Sequence, residues 1–138
     1  MNDKPWNGPP PGVPVAGFEF TLAGLPGVRH FAEVVARRAG LQDDEVGDLV
    51  LAVNEVATNA VTHGSPAARV RSWTERGDLV IEIRDHGVWA GHAFGQHPPA
   101  RHATSGMGLW VARLLAGQVD FRLGEEGSTV ILRFAGKG

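Results

Sequence analysis

Glu55 and Asn59 stand one helical turn apart on a run whose other positions, Val46, Leu49, Val53, Val56, Ala57 and Ala60, recur at helical spacing. At about 100° per residue, Asp48, Glu55, Asn59 and Thr62 share one stripe, displaced from the apolar stripe that seals a core. The side-chain amide oxygen of Asn59 suits magnesium, a hard ion that takes oxygen ligands, keeps several waters and bridges to phosphates. The carboxylate of Glu55 suits a general base that accepts a proton from an attacking hydroxyl or water. His63, a turn further on, can meet a phosphate or complement the negative end of the helix. Taken alone, such a Glu-x-x-x-Asn pair reads more simply as a solvated helix face.

Two further groups follow in order. Asp85 ends an apolar strand-like run and is followed by His86 and Gly87; a carboxylate there offers acceptor oxygens to an amine, and the glycine lets backbone come close to a planar ligand. Ser105, Gly106, Met107, Gly108 and Leu109 then open a helix. Unshielded N–H groups at a helix start form a natural phosphate site. Thr129, in Gly127-Ser128-Thr129-Val130, is a polar residue in the last strand-like run. Each has a plainer reading as a turn, a glycine-rich helix entry and a good strand former.

The elements that must hold these groups are legible in outline. Val15 to Leu22 suits a strand, with Phe18 and Phe20 on one face. Pro26 fits the first turn of a helix striped by Val28, Phe31, Val34 and Val35 and stopped at Gly40. Asp43 or Asp44 can cap a longer helix ending near His63 and Gly64. Ala68 to Thr74 and Leu79 to Arg84 form a hairpin around Arg76, Gly77 and Asp78. A Gly/Pro-rich stretch from Gly87 to Gly108 has the length of a lid or binding loop. Gly108 to Ala116 reads as helix, and Val119 to Leu123 with Thr129 to Phe134 as a second hairpin across Gly124 to Gly127.

Helices segregated from hairpins predict an α+β fold, a two-layer α/β sandwich with a mostly antiparallel mixed sheet and helices on one face. The site then lies between the layers. Five of nine prolines fall between Pro5 and Pro14, so residues 1–14 read as a disordered Pro-rich arm outside the fold, and residues 15–138 as one domain.

Composition narrows the function classes. With 138 residues there is room for one core. Thirteen Lys and Arg against fifteen Asp and Glu, with a net charge of −2, disfavour direct nucleic-acid binding and a polybasic membrane anchor. The absence of cysteine removes disulfides, thiolate metal sites and a thiol nucleophile. No apolar run is long enough to span a bilayer and the N-terminus has no secretory core, so a cytoplasmic location is expected. His92, His97 and His102 recur every fifth residue, but without cysteine or a nearby carboxylate they read as solvated loop residues rather than a zinc site.

The order of these motifs resembles the GHKL superfamily of ATP-binding domains, and within it the bacterial anti-sigma factor serine/threonine kinases. The Asn59 helix matches the family's N box, Asp85 and Gly87 its first glycine box, Gly106 to Gly108 its second, and Thr129 the threonine of its last box. The resemblance runs from about Phe18 to Phe134. It implies the Bergerat fold, ATP and Mg2+ as cofactors, Asn59 as Mg2+ ligand, Glu55 as catalytic base, and Asp85 bound to adenine N6. Asn59, His63, Asp85, Gly87, Arg101, Ser105, Gly106, Met107, Gly108, Leu109 and Thr129 become the expected ATP-binding set. It further implies a homodimer that sequesters a sigma factor and phosphorylates a STAS-type anti-sigma factor antagonist. Two positions depart from the pattern: Trp89 replaces the second glycine of Asp-x-Gly-x-Gly, and Thr104 stands where the kinases often carry arginine, with Arg101 three residues earlier. These departures keep a second reading in view, a nucleotide-responsive regulatory module of the same fold without efficient kinase activity.

Overall fold

A computed structural model describes residues 8–86, 115–124 and 127–136. Strand β1 (Ala16–Thr21) leads through a 3-10 turn into helix α1 (Leu25–Arg38) and then α2 (Asp43–Asn59), which continues as a π-helical turn, Ala60–Gly64. Strands β2 (Ala67–Glu75), β3 (Asp78–Asp85), β4 (Gln118–Gly124) and β5 (Gly127–Phe134) complete the described elements. The sheet order is β1-β2-β3-β5-β4. Every strand pair among the described residues is antiparallel, in keeping with the mostly antiparallel sheet that was expected. The α+β, two-layer arrangement is as expected. The helix expected over Gly108 to Ala116 lies almost wholly outside the described residues.

Local chemistry accounts for the boundaries. Pro26 sits in the first turn of α1, where its missing N–H costs nothing. At the other end Gly40 takes φ +86°, and the N–H groups of Gly40 and Leu41 donate to the carbonyls of Arg37 and Ala36. This left-handed stop satisfies two orphan carbonyls and folds Leu41 back into the core. Helix α2 starts at Asp43 with Gln42 as its cap. The Glu45 carboxylate accepts from the Gln42 N–H at 2.9 Å, and Asp43 and Asp44 fall in the first turn instead of capping it, where their charge favours the helix dipole. Arg76 and Gly77, with φ +55° and +85°, make the two-residue β2–β3 turn.

The helices cover one sheet face. Leu49, Ala52, Val53, Val56 and Ala57 of α2 meet Val70, Ile81, Ile83, Val130 and Leu132 in one buried cluster. On α1 the sealed positions are Leu25, Val28, Ala32 and Ala36, with Phe31 and Val35 only partly buried. The stripe is thus rotated from the expected one: alanines occupy the tightest contact because they let elements approach closely, while Phe31 turns outward to meet Phe18 edge-on at 5.4 Å.

The opposite face carries a smaller cluster, Trp73, Val80 and Ile131, and Val13 packs on it. The reading of residues 1–14 as lying wholly outside the fold therefore fails at Val13, because an apolar side chain amid prolines still gains from covering an indole. Beside it the Arg71 guanidinium, stacked 5.6 Å from the Trp73 ring, donates to both Glu82 oxygens at 2.7 and 3.0 Å. The hydrogen bonds to Glu82 raise the Arg71 pKa above its ordinary value, against the lowering effect of burial. Val13→Ala is expected to lower stability by about 1 kcal/mol, read as a shifted urea midpoint; an unchanged midpoint would show that the arm does not dock.

Candidate functional site

The C-terminal half of α2 carries the polar stripe inward. Asn59, its last α-helical residue, is 6% exposed, and Glu55, one turn earlier, is half-buried. Asp48 and Thr62 are exposed, and Thr62 spends its hydroxyl on the Thr58 carbonyl at 2.7 Å. The stripe expected from the sequence therefore contributes two residues, Glu55 and Asn59, where it approaches the sheet. Directly after Asn59 the helix widens into its π turn, closed by the Ser65 N–H donating to the Ala60 carbonyl at 3.0 Å. Such turns are rare and occur frequently at functional sites.

Ser65 ties this turn to the sheet. Its Oγ donates to the Ala67 carbonyl at 2.6 Å and accepts from the His86 N–H at 3.1 Å. The end of α2 is thereby held beside the end of β3, where Asp85 lies. Nothing in the local sequence marked Ser65, since its partner stands 21 residues away.

Asp85 is 2% exposed and lies opposite Ser128 of β5, also 2% exposed. Both share the helix-facing side with Ile83, Val130 and Leu132. The Ser128 Oγ is buried with no hydrogen-bond partner, which marks a polar group with unused bonding capacity. Gly127 permits this arrangement: a side chain there would overlap the Asp85 carbonyl oxygen and press on His86 Cα.

Thr129 is corrected by the same register. It pairs with Arg84 on one side and Arg122 on the other, and strand alternation turns it to the sheet face away from the helices. Ser128, not Thr129, accompanies Asp85. Gly87, Arg101, Ser105, Gly106, Met107, Gly108 and Leu109 lie outside the described residues, as do the loop histidines, Trp89 and the side chain of His63. Among the described residues no group of three metal-ligating side chains is present, and no helix is long and apolar enough to cross a membrane.

A buried carboxylate and hydroxyl at one sheet end, beside an inward amide and carboxylate, suit a polar planar ligand with a charged tail. Comparison with protein families agrees: a model of the histidine kinase-like ATPase domain matches residues 18–134. The chain belongs to this family. Histidine kinase-like ATPase domains bind nucleotide, and the match takes in both α2 and the Asp85–Ser128 pair. Among solved structures, the RsbU and RsbW domains of Rv1364c from Mycobacterium tuberculosis share the fold, with TM-score 0.63 and 21% identity over 87% of this chain. The match spans only 32% of that longer chain. Comparison with curated proteins gives no match.

Proposed function

We propose that the chain is an ATP-dependent serine/threonine protein kinase of the anti-sigma type, which sequesters a sigma factor and phosphorylates a small STAS-type antagonist in the cytoplasm. The observation that carries this reading is the placement of Glu55 and Asn59 on the turn of α2 that Ser65 fastens beside Asp85 and Ser128. The family membership and the fold shared with a chain holding an RsbW domain support it.

The residues present fit ATP and Mg2+. Asp85 accepts from the exocyclic amine of adenine, and the partnerless Ser128 hydroxyl bonds the same base edge, which satisfies an otherwise orphaned buried group. Asn59 supplies the amide oxygen for Mg2+. Bound Mg2+ neutralises charge on the phosphates. Glu55 accepts the proton of the attacking hydroxyl. Gly87 lets the backbone approach the base, and Arg101 and the stretch Ser105, Gly106, Met107, Gly108 and Leu109, with His63, complete the phosphate side. Trp89 in place of a glycine favours a second reading, in which nucleotide only switches partner binding.

Ser128→Ala is expected to weaken ATP binding about tenfold, the value of one buried hydrogen bond, whereas Thr129→Ala changes it less than about twofold. Equal effects would reject the register argument. Kinase function is tested by incubating the chain with γ-labelled ATP and small STAS-type proteins encoded in the same genome. Label on a serine or threonine is the expected result. Nucleotide binding without transfer supports the switching module, and neither binding nor transfer contradicts both readings.

A further inference from the structure

On the sheet face away from the helices, the register sets Arg69, Arg84, Thr129 and Arg122 in one row across β2, β3, β5 and β4. Neighbouring arginines on this face are neutralised. Arg71 is held by Glu82, and Arg133 by Glu75 and Asp78. Arg69 and Arg84 stand directly opposite one another, and neither forms an ion pair with any of the described residues. The Nε of Arg69 is buried and has no acceptor. Like charges facing across a strand pair oppose each other, and a guanidinium N–H shut away from water lacks the bond it would make there. Glu19, opposite Arg69 at the exposed end of the row, makes no salt bridge with it.

We propose that this row is the docking site for an acidic segment of a partner protein, whose carboxylates pair with the forks of Arg69 and Arg84. A planar guanidinium donates parallel N–H bonds to a carboxylate, and carboxylates brought to the two facing arginines would answer the repulsion between them. A nucleic acid would need a wider positive field than a chain of net charge −2 provides, and Glu19 and Asp120 flank the row with negative charge. The Trp73 half of the face is covered by Val13 and closed by its own ion pairs, whereas Arg69 and Arg84 are half-buried and have no such pairs among the described residues. The inference rests on the outer face alone and does not depend on the nucleotide reading.

The probe is a fluorescein-labelled peptide of alternating Glu and Asp, titrated by anisotropy against the intact chain without nucleotide. Saturable binding is expected, weakened at least about tenfold by Arg69→Gln with Arg84→Gln and less than about twofold by the charge-matched pair Arg38→Gln with Arg76→Gln. Arg84→Gln alone, with an unchanged thermal midpoint, is expected to give an intermediate loss, which guards against misfolding of the double variant. Equal losses in both double variants, no saturable binding, or tighter binding of an oligonucleotide of equal charge would overturn the proposal. So would a change of oligomeric state in Arg69→Gln with Arg84→Gln, since the row would then be a contact between copies. Because nucleotide is absent throughout, failure here leaves the kinase reading untouched, and failure of ATP binding leaves this one untouched.

Discussion

Asn59→Ala is expected to weaken Mg2+-dependent ATP binding at least about 100-fold, roughly 2.8 kcal/mol, while the affinity measured in EDTA stays within about threefold. The split follows from what the side chain is proposed to do. On the proposed reading its amide oxygen is the ligand that α2 brings to the cleft, so its loss would remove the contribution that needs the ion and leave the proposed base contacts of Asp85 and Ser128 in place. Asn59 is buried, and truncation also costs stability, about 1–3 kcal/mol. A lowered thermal midpoint is therefore expected alongside the binding change. Loss of the EDTA-resistant component as well would mean that the variant has lost its fold at this end and not merely a metal ligand.

Glu55→Ala is expected to separate chemistry from binding in the opposite way. A general base contributes about 10²–10⁴-fold, so transfer to an antagonist should fall by that factor while ATP affinity changes less than about threefold. Glu55→Gln keeps the shape and the hydrogen-bonding reach but cannot accept the proton, and should be as inactive as the alanine variant. If Glu55→Gln retained full activity, Glu55 would be a positioning residue. If both variants lost ATP binding, the carboxylate would belong to the metal site and the assignment of the base would be wrong.

The parts of this fold that could be read in advance are those whose signals are local. Gly40 and the Arg76–Gly77 turn announced their chain reversals, Pro26 its helix start, and the apolar periodicity of α2 its buried face. Residues whose role depends on register were harder. Thr129 and Ser128 are adjacent, and a shift of one residue exchanges the two sheet faces. The signal existed: Val130, Leu132 and Phe134 are the alternate apolar positions, and counting back by two from them lands on Ser128. Ser65 offered no such signal, because its value lies in a bond to the backbone of His86 across a sheet that only tertiary structure assembles. Val13 was concealed by composition, since the prolines around it describe the chain's stiffness and not which side chain meets Trp73.

The α1 stripe shows the same limit. Bulk hydrophobicity pointed to Phe31 and Val34, yet Ala32 and Ala36 hold the sealed contact, because close approach rewards small side chains at the centre and larger ones at the margin. At the proposed site, Glu55, Asn59 and Asp85 were singled out by residue type, spacing and the family resemblance together. What the structure adds is their relation: a π turn and one serine hydroxyl hold the helix that carries two of them beside the strand that carries the third.

The most direct test of that relation is titration calorimetry of the intact chain with ATP in the presence of Mg2+. Saturable binding of one nucleotide per chain, weakened when Mg2+ is withdrawn and weakened again by Ser128→Ala, is the expected result. Absence of heat and of any change in tryptophan emission up to about 1 mM ATP, a concentration that even weak nucleotide sites register, would contradict it.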